Sequence, residues 1–475
     1  MDSLQTHAVR RVSEHSQHRL LLSATPHNGY SESWQALLEI LDPRRFARGV
    51  EPDRAVVDQV VVRRLKDDLL RSDGTKQFPG RLPPRAIEVV YTAGERQAHD
   101  LLERYSASRR RAEGPTRSHD LVLLLLKKRL FSSPAAFSRT LQAHAETVTR
   151  GRTAADEELP EWLEDAFGWD DALVDDEGGE EAERVLLARL ADGQAQDDEA
   201  AGLLGELRTW ADRAAEPADS KATALVAELE RICLRDGRWT DDRVIVFTEY
   251  VDTQRWLAGL LEARGLGGER LGLLYGGLDE RKREHLKAAF QAAPHRHPVR
   301  ILLATDSASE GIDLQRHCHR VIHYDIPFNP NRLEQRIGRV DRHGQTQPVE
   351  VAHFVGTGWD EATAGSYRDD LEFLSRVAQK VAIERQDLGS VNPVLAAAAS
   401  PSARWTRRTS NSASSTSRAA TCCCPHRTCE DSACSNRSLR SRPAWTRSTP
   451  PSPCGEASRR RPSAGCRRPR CARPC

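Results

Sequence analysis

Residues Glu334 to Gln345 read EQRIGRVDRHGQ, with Arg336, Arg339 and Arg342 at steps of three behind an Asn-Pro-Asn start at 329–331. Steps of three and four set side chains on one helix face. Arginines gathered on one face are expected to point at solvent, carboxylates or phosphate rather than into a core. A planar guanidinium binds two oxygens at once, so phosphate capture is the chemistry this string offers. A second string, Ala304 to Gln315, holds Thr305, Asp306, Gly311 and Asp313. A glycine lets backbone approach a ligand closely, and a carboxylate accepts from sugar hydroxyls. Read alone, each string also fits a blander account: a solvated arginine face, and loop caps at Asp306, Glu310 and Asp313. His317, His319 and His323 flank Cys318, but they lack a second ligand pair and run into an apolar stretch, so no metal site is expected there.

These residues need a frame. Residues 219 to about 398 alternate short apolar runs with helical stretches. Strands are predicted at 244–247, 271–275, 299–304, 320–324 and 349–355, and helices at 253–264, 279–290 and 332–342. Such alternation indicates an α/β fold with a parallel sheet flanked by helices. Ligands of that fold sit at the carboxyl ends of the strands, where Thr248, Glu249, Gly276, Gly277, Thr305, Asp306 and Asp325 fall.

Three other segments differ. Residues 1–115 look like the end of another folded domain. Arg19–Leu22 reads as a strand before Ser23, Ala24, Thr25 and Pro26, Ser31–Leu41 as a helix, Val56–Leu65 as a strand, 78–84 as a linker and Ile87–Tyr91 as a strand. Residues 116–218 start helical and basic, then carry roughly twenty acidic residues against four arginines between Asp156 and Glu216. A helical insertion with an acidic surface is the first reading, a disordered linker the second. Residues 399–475 are rich in Ser, Arg, Pro and Cys, with a single leucine, Leu439, beyond residue 400, and cannot bury a core. Disorder, translation in another reading frame and a zinc module built on Cys422, Cys423, Cys424, His426, Cys429 and Cys434 compete for this tail.

Composition sets the outer limits. The length suggests about three domains. No apolar run is long enough to span a bilayer and no secretory signal opens the chain. Only Cys233 and Cys318 precede residue 420, which argues against a disulfide framework. A soluble, cytoplasmic protein without membrane contact is expected.

Five strings occur in one order: LLLSATPHNG, VIVFTEYVDT, LYGGLDERKREHLKAAF, ILLATDSASEGIDLQ and VIHYDIPFNPNRLEQRIGRVDRHGQ. Over roughly residues 10–395 they closely resemble the Snf2-like branch of superfamily 2 helicases and translocases. The wording SATPHNGYSESWQALLEILDP is similar to the Snf2-like helicase of the DISARM anti-phage system. The resemblance implies a complete second RecA-like lobe over 219–398 and a remnant of a first lobe over 1–115. It implies ATP with Mg2+ as the family's cofactors, double-stranded DNA as substrate, and partner proteins of a defence system; an RNA helicase of the same superfamily and a non-catalytic nucleic-acid- or protein-binding module are the alternatives.

The resemblance also assigns residues. Arg339 and Arg342 match the arginines that reach the γ-phosphate. Gly311, Asp313, Gln335 and Arg336 match nucleotide contacts. Ser23, Ala24 and Thr25 match the motif that couples hydrolysis to lobe movement. Thr248, Gly276, Arg281 and Thr305 match positions along the nucleic-acid backbone. The family's Gly-rich phosphate loop and acidic box are missing, because no Gly-Lys-Ser or Gly-Lys-Thr occurs anywhere. Asp198-Glu199-Ala200 imitates an acidic box, but it follows the SATP string and has no strand ahead of it. A truncated motor that does not hold ATP and Mg2+ by itself is therefore expected.

Overall fold

Val244–Thr248 and Ile301–Thr305 are apolar without alternation, and every one of their residues is buried. Strands covered on both faces read this way. They form the centre of a parallel sheet in a computed structural model of the chain. The model describes residues 4–23, 26–27, 30–64, 66–113, 117–150, 198–215, 218–306, 312–327, 329–357, 381 and 383. The chain divides into two units, 1–409 and 410–475, and all described residues lie in the first. The tail reading and most of the acidic block, 151–197, fall outside the described residues.

In chain order the strands are β1 (Arg85–Val89), β2 (Leu234–Arg235), β3 (Arg238–Trp239), β4 (Val244–Thr248), β5 (Leu271–Leu274), β6 (Ile301–Thr305), β7 (Arg320–His323) and β8 (Glu350–Gly356). The helices are α1 (Leu4–Glu14), α2 (Ser31–Leu41), α3 (Arg54–Val60), α4 (Ala93–Glu113), α5 (Arg117–Ser132), α6 (Pro134–Arg150), α7 (Asp198–Ala214), α8 (Ser220–Cys233), α9 (Val251–Ala263), α10 (Glu280–Gln291) and α11 (Pro330–Ile337). Six strands make one parallel sheet in the order β1-β8-β7-β4-β6-β5. Leu225 and Leu229 of α8 and Leu257 and Leu261 of α9 pack with one side of the sheet. Phe290 of α10, Ile337 and Val340 pack with the other. This is the RecA-like α/β architecture expected from the sequence, a parallel sheet flanked by helices.

Three expectations are corrected. Arg19–Leu22 pairs with no strand among the described residues, and Leu20 and Leu22 are largely exposed. Residues 54–60 form helix α3 rather than a strand. The Asp53 side chain accepts from Ala55 N at 2.8 Å to cap it, and Val57 packs with Trp34, Leu38 and Phe46. The strand expected at 87–91 is β1, which starts at Arg85 and pairs with β8, so it belongs to the six-stranded sheet.

The helical module also starts earlier than expected. Leu101, Leu102 and Tyr105 of α4 share one core with Leu126, Leu130, Phe137, Leu141 and Leu207 of α5, α6 and α7. Asp198 and Glu199 lie in the first turn of α7, where carboxylates suit the helix dipole.

Candidate functional site

Helix α11 begins with the Asn329 side chain accepting from Asn331 N at 2.9 Å and Pro330 in the first turn. It ends at Ile337, and a turn carries the chain through Gly338 to Asp341. The three arginines therefore do not share one face. Arg336 is 1% exposed, against the expectation that it would point outward. Its guanidinium forms a two-pronged pair with Asp306, with Nη2 to Oδ2 at 2.6 Å, and Nη1 donates to the Asp325 carbonyl at 2.8 Å. A buried guanidinium needs a full set of acceptors, and the strand ends of β6 and β7 supply them. Arg339 donates from Nε to the Gln335 carbonyl at 3.1 Å, and its own carbonyl accepts from Leu314 N at 3.0 Å. Half-exposed Arg342 pairs with Asp313. Gln335 is exposed.

Arg339 and Arg342 reach a cleft of about 1480 Å³ between this turn and residues 19–81. Ser23 and Gln335 also line it, whereas Ala24, Thr25 and Gly311 lie outside the described residues. Eight lysines and arginines line the cleft against two carboxylates, Glu334 and Asp341, so its field favours an anion. Both carboxylates are committed. Arg81 Nη1 lies 2.9 Å from both oxygens of Glu334. Arg81 Nε lies 2.5 Å from Asp341 Oδ2, and Lys66 Nζ 2.9 Å from Asp341 Oδ1. Burial lowers the Lys66 pKa despite Asp341 beside it. Burial raises the Glu334 pKa against the pull of Arg81. Among the described residues, no three His, Cys, Asp or Glu side chains converge.

The strand ends at β4 and β7 are closed by the helical module. Lys128 of α5 lies 3.2 Å from Glu249 Oε2, and both are buried. Burial lowers the Lys128 pKa, opposed mainly by Glu249. Ser132 Oγ lies 2.6 Å from Thr253 Oγ1 and donates to Asp325 Oδ2 at 3.1 Å. Thr248 donates to the same carboxylate oxygen. Lys221 of α8 reaches the Phe131 carbonyl at 2.7 Å and Asp325 Oδ1 at 3.6 Å. Thr248 is fully buried beneath these contacts, and Thr305 at the end of β6 is fully buried as well. Of the four positions matched to nucleic acid, only Gly276 and Arg281 reach the surface. Arg281 sits in the first turn of α10, which is capped by Asp279, and Arg283 of that helix donates to the Gly276 carbonyl at 3.2 Å.

The histidine cluster is dispersed. Cys318 Sγ lies 3.4 Å from the Arg243 and Arg320 carbonyls, and burial pushes its thiol pKa up to about 12. His319 faces Glu350, and His323 stacks on His353 with ring centroids 4.8 Å apart. Sequence reasoning missed Lys66, Arg81, Lys128 and Lys221. Arg81 and Lys66 lie more than 250 residues from their partners, and no local spacing announces such pairs.

The site is a strongly basic cleft beside an arginine turn, carried by a parallel α/β sheet. Residues 223–344 match the helicase conserved C-terminal domain. An uncharacterized ATP-dependent helicase, YqhH of Bacillus subtilis (strain 168), is 38% identical over 133 residues, or 28% of this chain and 21% of that protein. The RNA polymerase-associated protein RapA of Photobacterium profundum is 27% identical over 362 residues, 75% of this chain and 34% of that protein. The chain thus spans a fifth to a third of the length of these relatives. Among solved structures, the C-terminal part of the Fun30 ATPase domain covers 66% of the chain at 15% identity, with a TM-score of 0.37. At that score the likeness says nothing of function. The family match and the relatives support a place in helicase superfamily 2.

Proposed function

We propose that the chain is the second lobe of a Snf2-like, ATP-driven translocase on double-stranded DNA, together with its helical module. The observation that carries this reading is the turn at 338–342, which sets Arg339 and Arg342 on a strongly basic cleft facing residues 19–38. Arginines so placed stabilise charge on a transferring phosphoryl group and are worth about 10³–10⁵ in rate where the rest of the machine is present. Glycine-lysine phosphate cradling is absent from this sequence. The chain alone therefore leaves ATP unhydrolysed. Steady-state phosphate release with duplex DNA present is expected to equal the buffer blank. DNA-stimulated release that disappears in Arg339→Ala would contradict this.

DNA contact is assigned to the exposed end of the sheet at Gly276 and Arg281, not to the sealed Thr248 and Thr305. Preference for an RNA duplex over DNA in a competition assay would move the substrate to RNA. Protein partners belong to the same proposal. Relatives named RNA polymerase-associated protein align with about three quarters of the chain, and the string at 23–43 is similar to a helicase of a phage-defence system.

A further inference from the structure

The segment before β1 is fastened to the sheet. Val349 N donates to the Gly80 carbonyl at 3.1 Å, and Leu82 N donates to the Val349 carbonyl at 2.9 Å. The backbone of Arg81 is thus held beside β8, as a short extension of the sheet. Its side chain, 11% exposed, bridges two carboxylates seven residues apart, Glu334 in α11 and Asp341 in the turn. Lys66 takes the other oxygen of Asp341 and also its carbonyl. Arg339 lies between the bridged carboxylates, and Arg342 follows Asp341 directly. A single fork thereby spans the segment that carries both phosphate-facing arginines.

We infer that Arg81, assisted by Lys66, is a positioning residue that aims Arg339 and Arg342 into the cleft by gripping Glu334 and Asp341. Asp313 acts in the opposite sense, because it occupies the Arg342 guanidinium. This rests on the reading of the turn as phosphate-directed.

Charge-neutral variants separate positioning from simple electrostatics. Glu334→Gln, Asp341→Asn and Asp313→Asn each remove one negative charge near the cleft. Coulomb attraction alone would make all three bind an anion more tightly. Under the inference the first two weaken binding, because the grip is lost, while Asp313→Asn strengthens it, because Arg342 is released. The probe is inorganic tripolyphosphate, which has no ribose for Asp313 to contact. It is titrated calorimetrically into the full chain, with folding of each variant checked by circular dichroism. Glu334→Gln and Asp341→Asn are expected to weaken binding about tenfold, the scale on which small misplacements act. Asp313→Asn is expected to tighten it about twofold, as befits an exposed pair. Arg81→Lys keeps the cleft's charge but not the fork, and is expected to weaken binding as well.

Binding by Glu334→Gln that equals or exceeds the parent chain would overturn the inference, as would an unaffected Arg81→Lys. An Arg339→Ala variant with unchanged affinity would instead sink the phosphate-directed reading of the turn itself. Absence of any tripolyphosphate binding would sink both.

Discussion

At the scale of single residues, the three arginines of one string have three different jobs. Arg336 is a buried structural ion, Arg339 and Arg342 line the cleft, and Arg342 is held by Asp313. Their common spacing suggested a common role, and the spacing was misleading because the helix stops at Ile337. What separates them is acceptor supply: Asp306 and Asp325 lie at the strand ends under Arg336 only. Breaking one partner of a buried pair costs about 3–5 kcal/mol, since the other charge stays buried and alone. Arg336→Ala should therefore lower the urea midpoint strongly. An unchanged midpoint, with a defect confined to ligand binding, would restore the direct nucleotide role that the family resemblance assigns to it.

At the scale of elements, α5 is joined to the ends of β4 and β7 by Lys128, Ser132 and their partners. Lys128→Met should destabilise the chain by about 3 kcal/mol, and the double variant with Glu249→Gln should recover part of the loss. Strict additivity in that denaturation cycle would show that the two residues do not act as a pair. The stacked His323 and His353 join β7 to β8 in the same way. Burial pushes the His353 pKa down to about 4 from 6.5. The unfolded chain thus takes up a proton between pH 6.5 and 4 that the folded chain refuses. Stability is full above that window and declines as pH falls through it, by roughly 3 kcal/mol for this residue. His353→Phe should flatten the pH dependence of the denaturation midpoint over this range, and an unaltered slope would assign it to other groups.

Sequence periodicity located the strands and helices of the sheet to within a few residues. Strands buried on both faces and helices with one apolar face leave unambiguous patterns. The same reading fails over Val56–Leu65, where the valines of the expected strand begin inside helix α3. A side-chain cap at Asp53 and a local core with Trp34 decided for helix. Nor does local sequence show that Thr248 and Thr305 are fully buried.

For the molecule as a whole, the sheet, the arginine turn and the basic cleft form one continuous body, in which the proposed phosphate-handling site lies at one end of the sheet. Strand β1 and residues 66–81 tie the N-terminal segments to that body through the sheet edge and through Arg81. The cleft-lining arginines were legible in the sequence, whereas the residues that hold their segment were not, since those contacts are long-range. No described helix is long and apolar enough to cross a membrane. Nucleic-acid recognition by this lobe should be electrostatic and carried by the α10 surface. The most direct measurement is fluorescence anisotropy of a labelled DNA duplex titrated with the full chain across a salt series from about 50 to 200 mM. The account predicts affinity that falls linearly in log–log form with salt, and a slope smaller by about one for Arg281→Ala. Absence of binding at the lowest salt, or binding indifferent to salt and to Arg281→Ala, would contradict it.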